Sequence, residues 1–444
     1  MAELTLDRYR GVLADLPAGR TAGRVTHIVG LAIEVRGIRL ALGELCRVVD
    51  GRGGDRLAEV VGFREDAALL LPLGESTGLA PGDPVLPLGR ELTVACHESM
   101  LGRVVDAVGR PIDDGPPLAV AERRAIAGEP LPALSRPRIT RPLETGVAAL
   151  DGLLTVGMGQ RLGIFAGSGV GKSTLMGSLA RSSRADVNVI ALIGERGREV
   201  VEFIETALGP EGLARSVVVV APSDDPVLMR QKAAFTAMAI AEFFRDRGKD
   251  VLVMMDSITR LANASREIGL ALGEPPTVRG YPPSFFGTMP KIVERMGLGG
   301  KGSITGLLTV LVDADDMNEP VADTMRGLLD GHIVLSRKIA ERGQYPAIDV
   351  LQSISRVMGS VTLPEHGAAA REFRKLLATY EDVRDLVAVG AYKRGGDPEV
   401  DRAVSLHPAL VEFLRQSDTE HRGFEDTLRR LFTIARTGAP GARR

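Results

Sequence analysis

The sequence predicts an α/β protein in three parts: a small all-β unit, a mostly parallel sheet covered on both faces, and a mainly helical tail. Three observations carry this. Short apolar runs broken by Gly, Asp and Pro fill residues 23–90. Strands without polar alternation then alternate with helical runs, the pattern of a sheet buried on both sides. From about Glu365 onward only helical periodicity remains. A chain of 444 residues has room for two or three domains and a large aliphatic core.

Taken in order, residues 1–22 are a short segment in which Leu4, Leu6, Tyr9, Val12, Leu13 and Leu16 share one helical face. A docking helix and a first packed helix both fit it. Over 23–90, GRVTHIVGLAIEVRG, LCRVVD, LAEVVGF, AALLLPL and DPVLPL read as the strands of a small antiparallel barrel or sandwich. Residues 91–150 connect. In them GRVVDAVGRPIDDG (102–115) is a strand ending in turn signals, and a Pro-rich passage follows at 130–144. The α/β unit, 91–364 with that connection, has candidate strands at 162–166, 188–193, 216–221, 251–256, 304–312 and 332–336. The tail, 365–444, carries the helical runs FRKLLATYEDVRDLVAVGAY and PALVEFLRQ and ends in a polar terminus.

Composition removes several classes. Lys and Arg number 55 against 57 Asp and Glu, a net charge of −2, so there is no wholesale basic coat for nucleic acid. Trp is absent and there are 12 Phe and 5 Tyr, too few for stacking platforms along a single strand. Cys46 and Cys96 have neither metal-ligand spacing nor disulfide density and read as small, semi-buried hydrophobes. No apolar run reaches the length of a membrane span, and MAELTLDRYRGVLADLP lacks the flanks of a secretory signal. A cytoplasmic protein with at most peripheral membrane contact is expected.

The strongest local signal is AGSGVGKST, 166–174. It matches the phosphate-loop pattern except that Ala166 stands where the strict motif has Gly. Gly167, Gly169 and Gly171 let backbone N–H groups curl around phosphates without Cβ clashes. Lys172 is expected at the β- and γ-phosphates and Ser173 on Mg²⁺, with the following helix pointing its N-terminus at the anion. VLVMMDS, 251–257, is an apolar strand ending in Asp256. Placed beside the phosphate-loop strand, that acid can hold the water shell of the metal. In IGERGREVVEF, 193–203, Glu195 follows another strand and is a candidate to orient an attacking water. A solvated helix start built from Arg196, Arg198, Glu199 and Glu202 fits the same residues. Tyr345 beside Pro346 offers an aromatic face to an adenine ring, and Arg356 is a candidate arginine finger across a subunit boundary. A core tyrosine and a surface-paired arginine fit equally. The loops at 273–286 and 313–320 sit where moving contacts often lie. Asp313, Asp315, Asp316 and Glu319 read as a solvated turn, a site for a basic partner or a pore lining. The six His are scattered, so the one metal implied is the nucleotide's Mg²⁺.

In order along the chain, AGSGVGKS, ALIGERGREV, VLVMMDSITRLANASREIGLALGEPPTVRGYPPS, LDGHIVLSRKIAERGQYPAIDVLQSISRVM and GAYKRGGDPEVDRAV resemble the type III export ATPases, relatives of the catalytic subunit of rotary ATP synthases. The likeness runs from about Gly23 to Glu420. Its flagellar branch is the nearest match. The ATPase of a virulence-type injectisome is the alternative, and a synthase catalytic subunit is a third reading. The resemblance implies a RecA-like P-loop ATPase core between an N-terminal β-barrel and a C-terminal helical domain, with ATP and Mg²⁺ as cofactors. It implies phosphate binding along Gly167, Ser168, Gly169, Val170, Gly171, Lys172, Ser173 and Thr174, with Mg²⁺ on Ser173 and, through water, Asp256. It further implies Glu195 as the group that activates water, Arg356 as a finger supplied in trans, and Tyr345 in the adenine pocket.

The same resemblance implies a homohexamer, a stator-like negative regulator, a central stalk protein, export-gate membrane proteins, and export chaperones with their substrates. Its location would be peripheral to the inner membrane at the export apparatus. No nucleic-acid partner is expected. Residues 413–426, FLRQSDTEHRGFED, stand in place of the acidic segment of the synthase subunit, which favours export over synthesis.

Overall fold

The computed structural model describes residues 21–51, 53–119, 122–312 and 316–437. The amphipathic stretch at 1–18, and Asp313 and Asp315, lie outside the described residues. The chain separates into two compact units, the first ending at Leu92 and the second taking up from Thr93 except for Ala271–Gly273.

The first unit is a closed antiparallel barrel, which decides between barrel and sandwich. Its strands are β1 (Gly23–Val29), β2 (Ala32–Arg36), β3 (Glu44–Val49), β4 (Asp55–Arg64), β5 (Ala67–Pro72) and β6 (Pro84–Glu91). They run in the order β1-β2-β5-β4-β3-β6. Closure comes from β6, which pairs with β3 and also with β1 through Gly23 opposite Val85. Alternation then sends Val25, Ile33, Val35, Cys46, Val48 and Leu70 inward. Cys46 and, outside the barrel, Cys96 are fully buried rather than half-buried. Burial pushes both thiols up to about 12, which makes them inert at neutral pH.

The second unit is built on one sheet. Its main strands are β7 (Arg103–Asp106), β8 (Arg161–Ala166), β9 (Val187–Ile193), β10 (Ser216–Ala221), β11 (Asp250–Asp256), β12 (Ser303–Leu311), β13 (Gly331–Leu335) and β14 (Ile354–Ser355). Among the described residues the order is β14-β13-β8-β12-β11-β9-β10-β7. The pairs from β13 to β7 are parallel, and β14 closes one edge antiparallel. All seven residues of β9 and all six of β10 are buried, as expected for strands covered on both faces. The connecting segment proves to be part of this sheet: β7 adds an edge strand parallel to β10. Helices α1 (Lys172–Ser182), α2 (Val227–Asp246) and α3 (Ile258–Ala271) follow β8, β10 and β11.

The tail folds as α4 (Pro364–Ala388), α5 (Pro398–Leu414) and α6 (Phe424–Arg436). Pro364 and Pro398 open their helices where an N–H has no helical partner. Asp397 caps α5 by accepting from Glu399 N (2.8 Å) and Val400 N (3.3 Å). Phe373, Leu376, Leu410, Phe413 and Leu431 join the same buried cluster as Leu150, Leu179 and Leu192. The tail helices are therefore packed onto the sheet unit through a continuous apolar core. Among the described residues no helix is long and apolar enough to cross a membrane.

Candidate active site

Parallel pairing brings the predicted residues to one edge. Ala166, the last residue of β8, is level with Leu311, and Leu192 of β9 is level with Asp256. The turns after β8, β9 and β11 therefore leave the sheet at its carboxyl edge, where ligands of open α/β sheets bind. They line a cleft of about 640 Å³ that includes Gly167, Ser168, Gly169, Gly171, Lys172, Ser173, Thr174, Glu195 and Asp256. Val170 is buried beneath the loop.

The loop owes its curl to two glycines. Gly169 and Gly171 have φ of +78° and +89°, in the left-handed region, where a side chain would be strained. Gly171 is also the residue before α1, so the orphan N–H groups of the first helical turn open onto the cleft.

Asp256 was expected on a strand beside β8. The structure inserts β12 between them, because Ser303–Leu311 pairs with both β8 and β11. Asp256 still reaches the loop: its Oδ1 accepts a hydrogen bond from Lys172 Nζ. The same oxygen accepts from Thr309 Oγ1 on the intervening strand (2.8 Å). Lys172 Nζ also stands 3.8 Å from Glu195 Oε1. That oxygen is buried and makes no hydrogen bond among the described residues. Burial first, and then the charge of Asp256, push the Glu195 carboxyl up to about 7, with Lys172 pulling the other way. Glu195 thus changes charge in the neutral range, as a group that handles a proton at that pH must.

A hydroxyl at Ser173 and a carboxylate at Asp256 are hard oxygen donors of the kind Mg²⁺ takes, and both line this cleft. The orphaned oxygen of Glu195 and the inward-curled loop fit a phosphate chain with its metal.

Tyr345 is 48% exposed. It lines a narrow pocket with Gly171, Val147, Pro346 and Gln416. Its ring would lie 3.6 Å from a Cβ on Gly171, so an aromatic wall stands next to the phosphate loop. Arg356 does not line the cleft. It is exposed, and its guanidinium donates to the carbonyls of Leu329 (3.2 Å) and Arg326 (3.4 Å). In the 273–286 segment Tyr281 and Phe285 are buried against each other, with ring centroids 4.7 Å apart. Asp316 closes a turn by accepting from Asn318 N (2.9 Å) and pairs with Arg279 at 3.4 Å; the Asn318 bond holds its carboxyl below the usual range.

Sequence reading missed five contributors. Thr309 anchors Asp256, and its only sequence signal is one of three hydroxyl residues in an otherwise apolar strand. Arg260, on α3, lines the cleft and lowers the pKa of Glu195 by its charge. Gln416, Ser417 and Asp418 complete the Tyr345 pocket from the far end of the chain.

A β-barrel, a RecA-like parallel sheet with a phosphate loop, and a C-terminal helical domain define a P-loop ATPase. The family models agree part by part. Residues 25–89 match the ATP synthase alpha/beta family, beta-barrel domain, and 146–355 its nucleotide-binding domain. Residues 362–433 match the T3SS EscN ATPase C-terminal domain. The chain is 52% identical over 415 residues to the flagellum-specific ATP synthase of Bacillus subtilis (strain 168), covering 93% of this chain and 94% of that one. It is 50% identical over 436 residues to the type 3 secretion system ATPase of Xanthomonas euvesicatoria, covering 98% of each. Among solved structures it resembles the assembled ATPase EscN from the enteropathogenic E. coli type III secretion system. The TM-score is 0.88 at 45% identity, over 93% of this chain and 100% of that one. EscN in complex with its central stalk EscO matches with a TM-score of 0.86 at 44% identity, with the same coverage. The chain belongs to the type III secretion ATPases, the ATP-hydrolysing family that flagellar and virulence systems share.

Proposed function

We propose that this ATPase hydrolyses ATP by in-line attack of water on the γ-phosphate, and that the residues above divide the work. The observation that carries the reading is the convergence of Lys172, Asp256 and Glu195 at the carboxyl edge. Gly167, Ser168, Gly169, Val170, Gly171 and Thr174 cradle the phosphates with backbone N–H groups. Lys172 turns from Asp256 to the β- and γ-oxygens. Ser173 and, through water, Asp256 would hold Mg²⁺, which when bound neutralises phosphate charge. Glu195 orients the water and draws on its proton. Tyr345 faces the adenine ring. Arg356, exposed and outside its own cleft, would leave the Leu329 and Arg326 carbonyls to serve a neighbouring copy's γ-phosphate. Equal ATP hydrolysis by wild type and Glu195→Gln would sink this assignment.

At the level of the assembly, the proposed state is a homohexameric ring, with nucleotide sites between subunits. The proposed division is a barrel over 23–90, an ATPase domain over 91–364 and a helical domain over 365–444. The assembled and stalk-bound forms of EscN support a ring and a central stalk partner. The ring would sit in the cytoplasm at the export gate, under a stator-like regulator, and act on chaperone–substrate complexes. Of the two export systems, the injectisome is favoured by the C-terminal domain model and by the solved structures. The flagellar reading is supported by the Bacillus subtilis relative. Complementation decides: the gene is placed in a strain lacking its flagellar export ATPase and in one lacking its injectisome ATPase. Restored secretion in one and not the other assigns the system.

A further inference from the structure

Gln416 is buried, yet it belongs to a loop at the end of α5. Both polar atoms of its side chain are used. Oε1 accepts from Ala148 N (2.9 Å), and Nε2 donates to the carbonyls of Gly146 (2.6 Å) and Glu420 (2.8 Å). Its backbone N donates to Tyr345 O (2.9 Å). One residue therefore ties the 146–148 loop, the Tyr345 segment and the end of the helical domain together. The loop is pinned from the other side by Asp151, whose carboxyl accepts from Thr145 N (2.9 Å), Thr145 Oγ1 (2.7 Å) and Gly146 N (2.9 Å). The next residue but one, Asp418, accepts through its carbonyl from Arg181 on α1, at 2.7 Å. Val147, Tyr345 and the 416–418 segment are walls of the same pocket.

A side chain whose amide is fully engaged cannot read a base itself. What it sets is the separation between Tyr345 and the wall opposite. We infer that Gln416 is a positioning residue for the base end of the nucleotide pocket, acting through Tyr345 and the 146–148 loop and linking base occupancy to the helical domain. This rests on the nucleotide reading above. Loss of the two donations unties the 416 side chain from the Gly146 carbonyl, which is left with Arg422 N (3.1 Å), and from the Glu420 carbonyl, so the walls separate. The phosphate loop, held by its own backbone, does not depend on them.

The test compares a ligand with a base to one without. Binding of ADP and of inorganic pyrophosphate, each with Mg²⁺, is measured calorimetrically on the full chain for wild type, Gln416→Met and Gln416→Glu. Met keeps the length without the hydrogen bonds. Glu keeps the acceptor for Ala148 N and loses both donations, and it stands in if the Met variant does not fold. The expected result is ADP affinity lowered on the order of tenfold with pyrophosphate affinity unchanged. In turnover, KM for ATP rises while kcat stays within about twofold. Unchanged ADP binding, or equal loss for both ligands, overturns the inference, the second because it marks a general structural role. A wild-type chain that binds neither ligand overturns the nucleotide reading and this inference with it.

Discussion

Lys172 Nζ is hydrogen-bonded to Asp256 and lies 3.8 Å from Glu195 Oε1, so its cation is held between two acids. This arrangement keeps a half-buried charge paired when no phosphate is present, since an unpaired buried charge is costly. Phosphate binding must exchange one set of partners for another. In the proposed mechanism the acids are then released, Asp256 toward the metal and Glu195 toward water. Thr309 keeps Asp256 in place during that exchange.

Replacing Glu195 by Gln keeps the volume and removes the carboxylate proposed to draw on the water's proton. Turnover is expected to fall by about 10²–10⁴-fold, the range for loss of a general base. ADP binding by calorimetry stays within about twofold of wild type, because the cradle and Lys172 are untouched. A parallel collapse of binding would move Glu195 from chemistry to structure.

The raised carboxyl of Glu195 gives two pH dependences with known signs. With the ionised form as the proposed base, kcat/KM is expected to rise with pH and level off above about 7. The folded state binds this proton more tightly than the unfolded chain does, whose carboxyl titrates near its ordinary 4.5. Stability from this group is therefore lost as pH rises from 4.5 towards 7. Glu195→Gln is expected to melt above wild type at pH 8, with the gap closing toward pH 5. Thermal denaturation at the two pH values checks it, and an equal gap at both would show that the carboxyl titrates normally.

Arg356 tests the ring. Arg356→Ala is expected to lose about 10³–10⁵-fold in turnover, as for other fingers supplied in trans. Mixing it with Lys172→Ala, itself inactive, regains part of the activity, because some seams then pair an intact loop with an intact finger. Wild-type specific activity rises with protein concentration over the range where the ring assembles. An active, demonstrated monomer would refute the trans arrangement.

What was legible in the sequence was what depends on near neighbours. Buried strands announce themselves as apolar runs, and β8 to β13 lie within one residue of their expected bounds. The phosphate loop is a contiguous motif. Edge and end elements were harder. β7 carries the same turn signals as a hairpin strand, and nothing local says that it pairs with β10 more than 100 residues later. In α6 the charges of FEDTLRRLFTIAR hide Leu428, Leu431 and Phe432, which face the core. Thr309, Arg260 and Gln416 owe their roles to residues far along the chain. Gln416 meets Ala148 across 268 positions, a relation no local pattern encodes.

Gly177 sets two local preferences against each other. It lies within α1, where Ala is the better helix former by about 1 kcal/mol. A Cβ there would fall 2.2 Å from the carbonyl oxygen of Ala207 and 2.5 Å from its carbon. Ala207 belongs to the π-helical turn Phe203–Leu208, which with Phe203 and Thr206 forms a wall of the cleft. The obstacle is backbone, so no rotamer change relieves it, and overpacking of this kind costs about 1–3 kcal/mol. Sterics outweigh propensity. Gly177→Ala is expected to lower the urea midpoint by an amount equivalent to about 1–2 kcal/mol with the denaturant slope unchanged. Turnover falls with it, since the displaced turn continues the helix Gly197–Glu202, which begins two residues after Glu195. A higher midpoint would mean that the π turn yields, and that the close approach of α1 is tolerated rather than required.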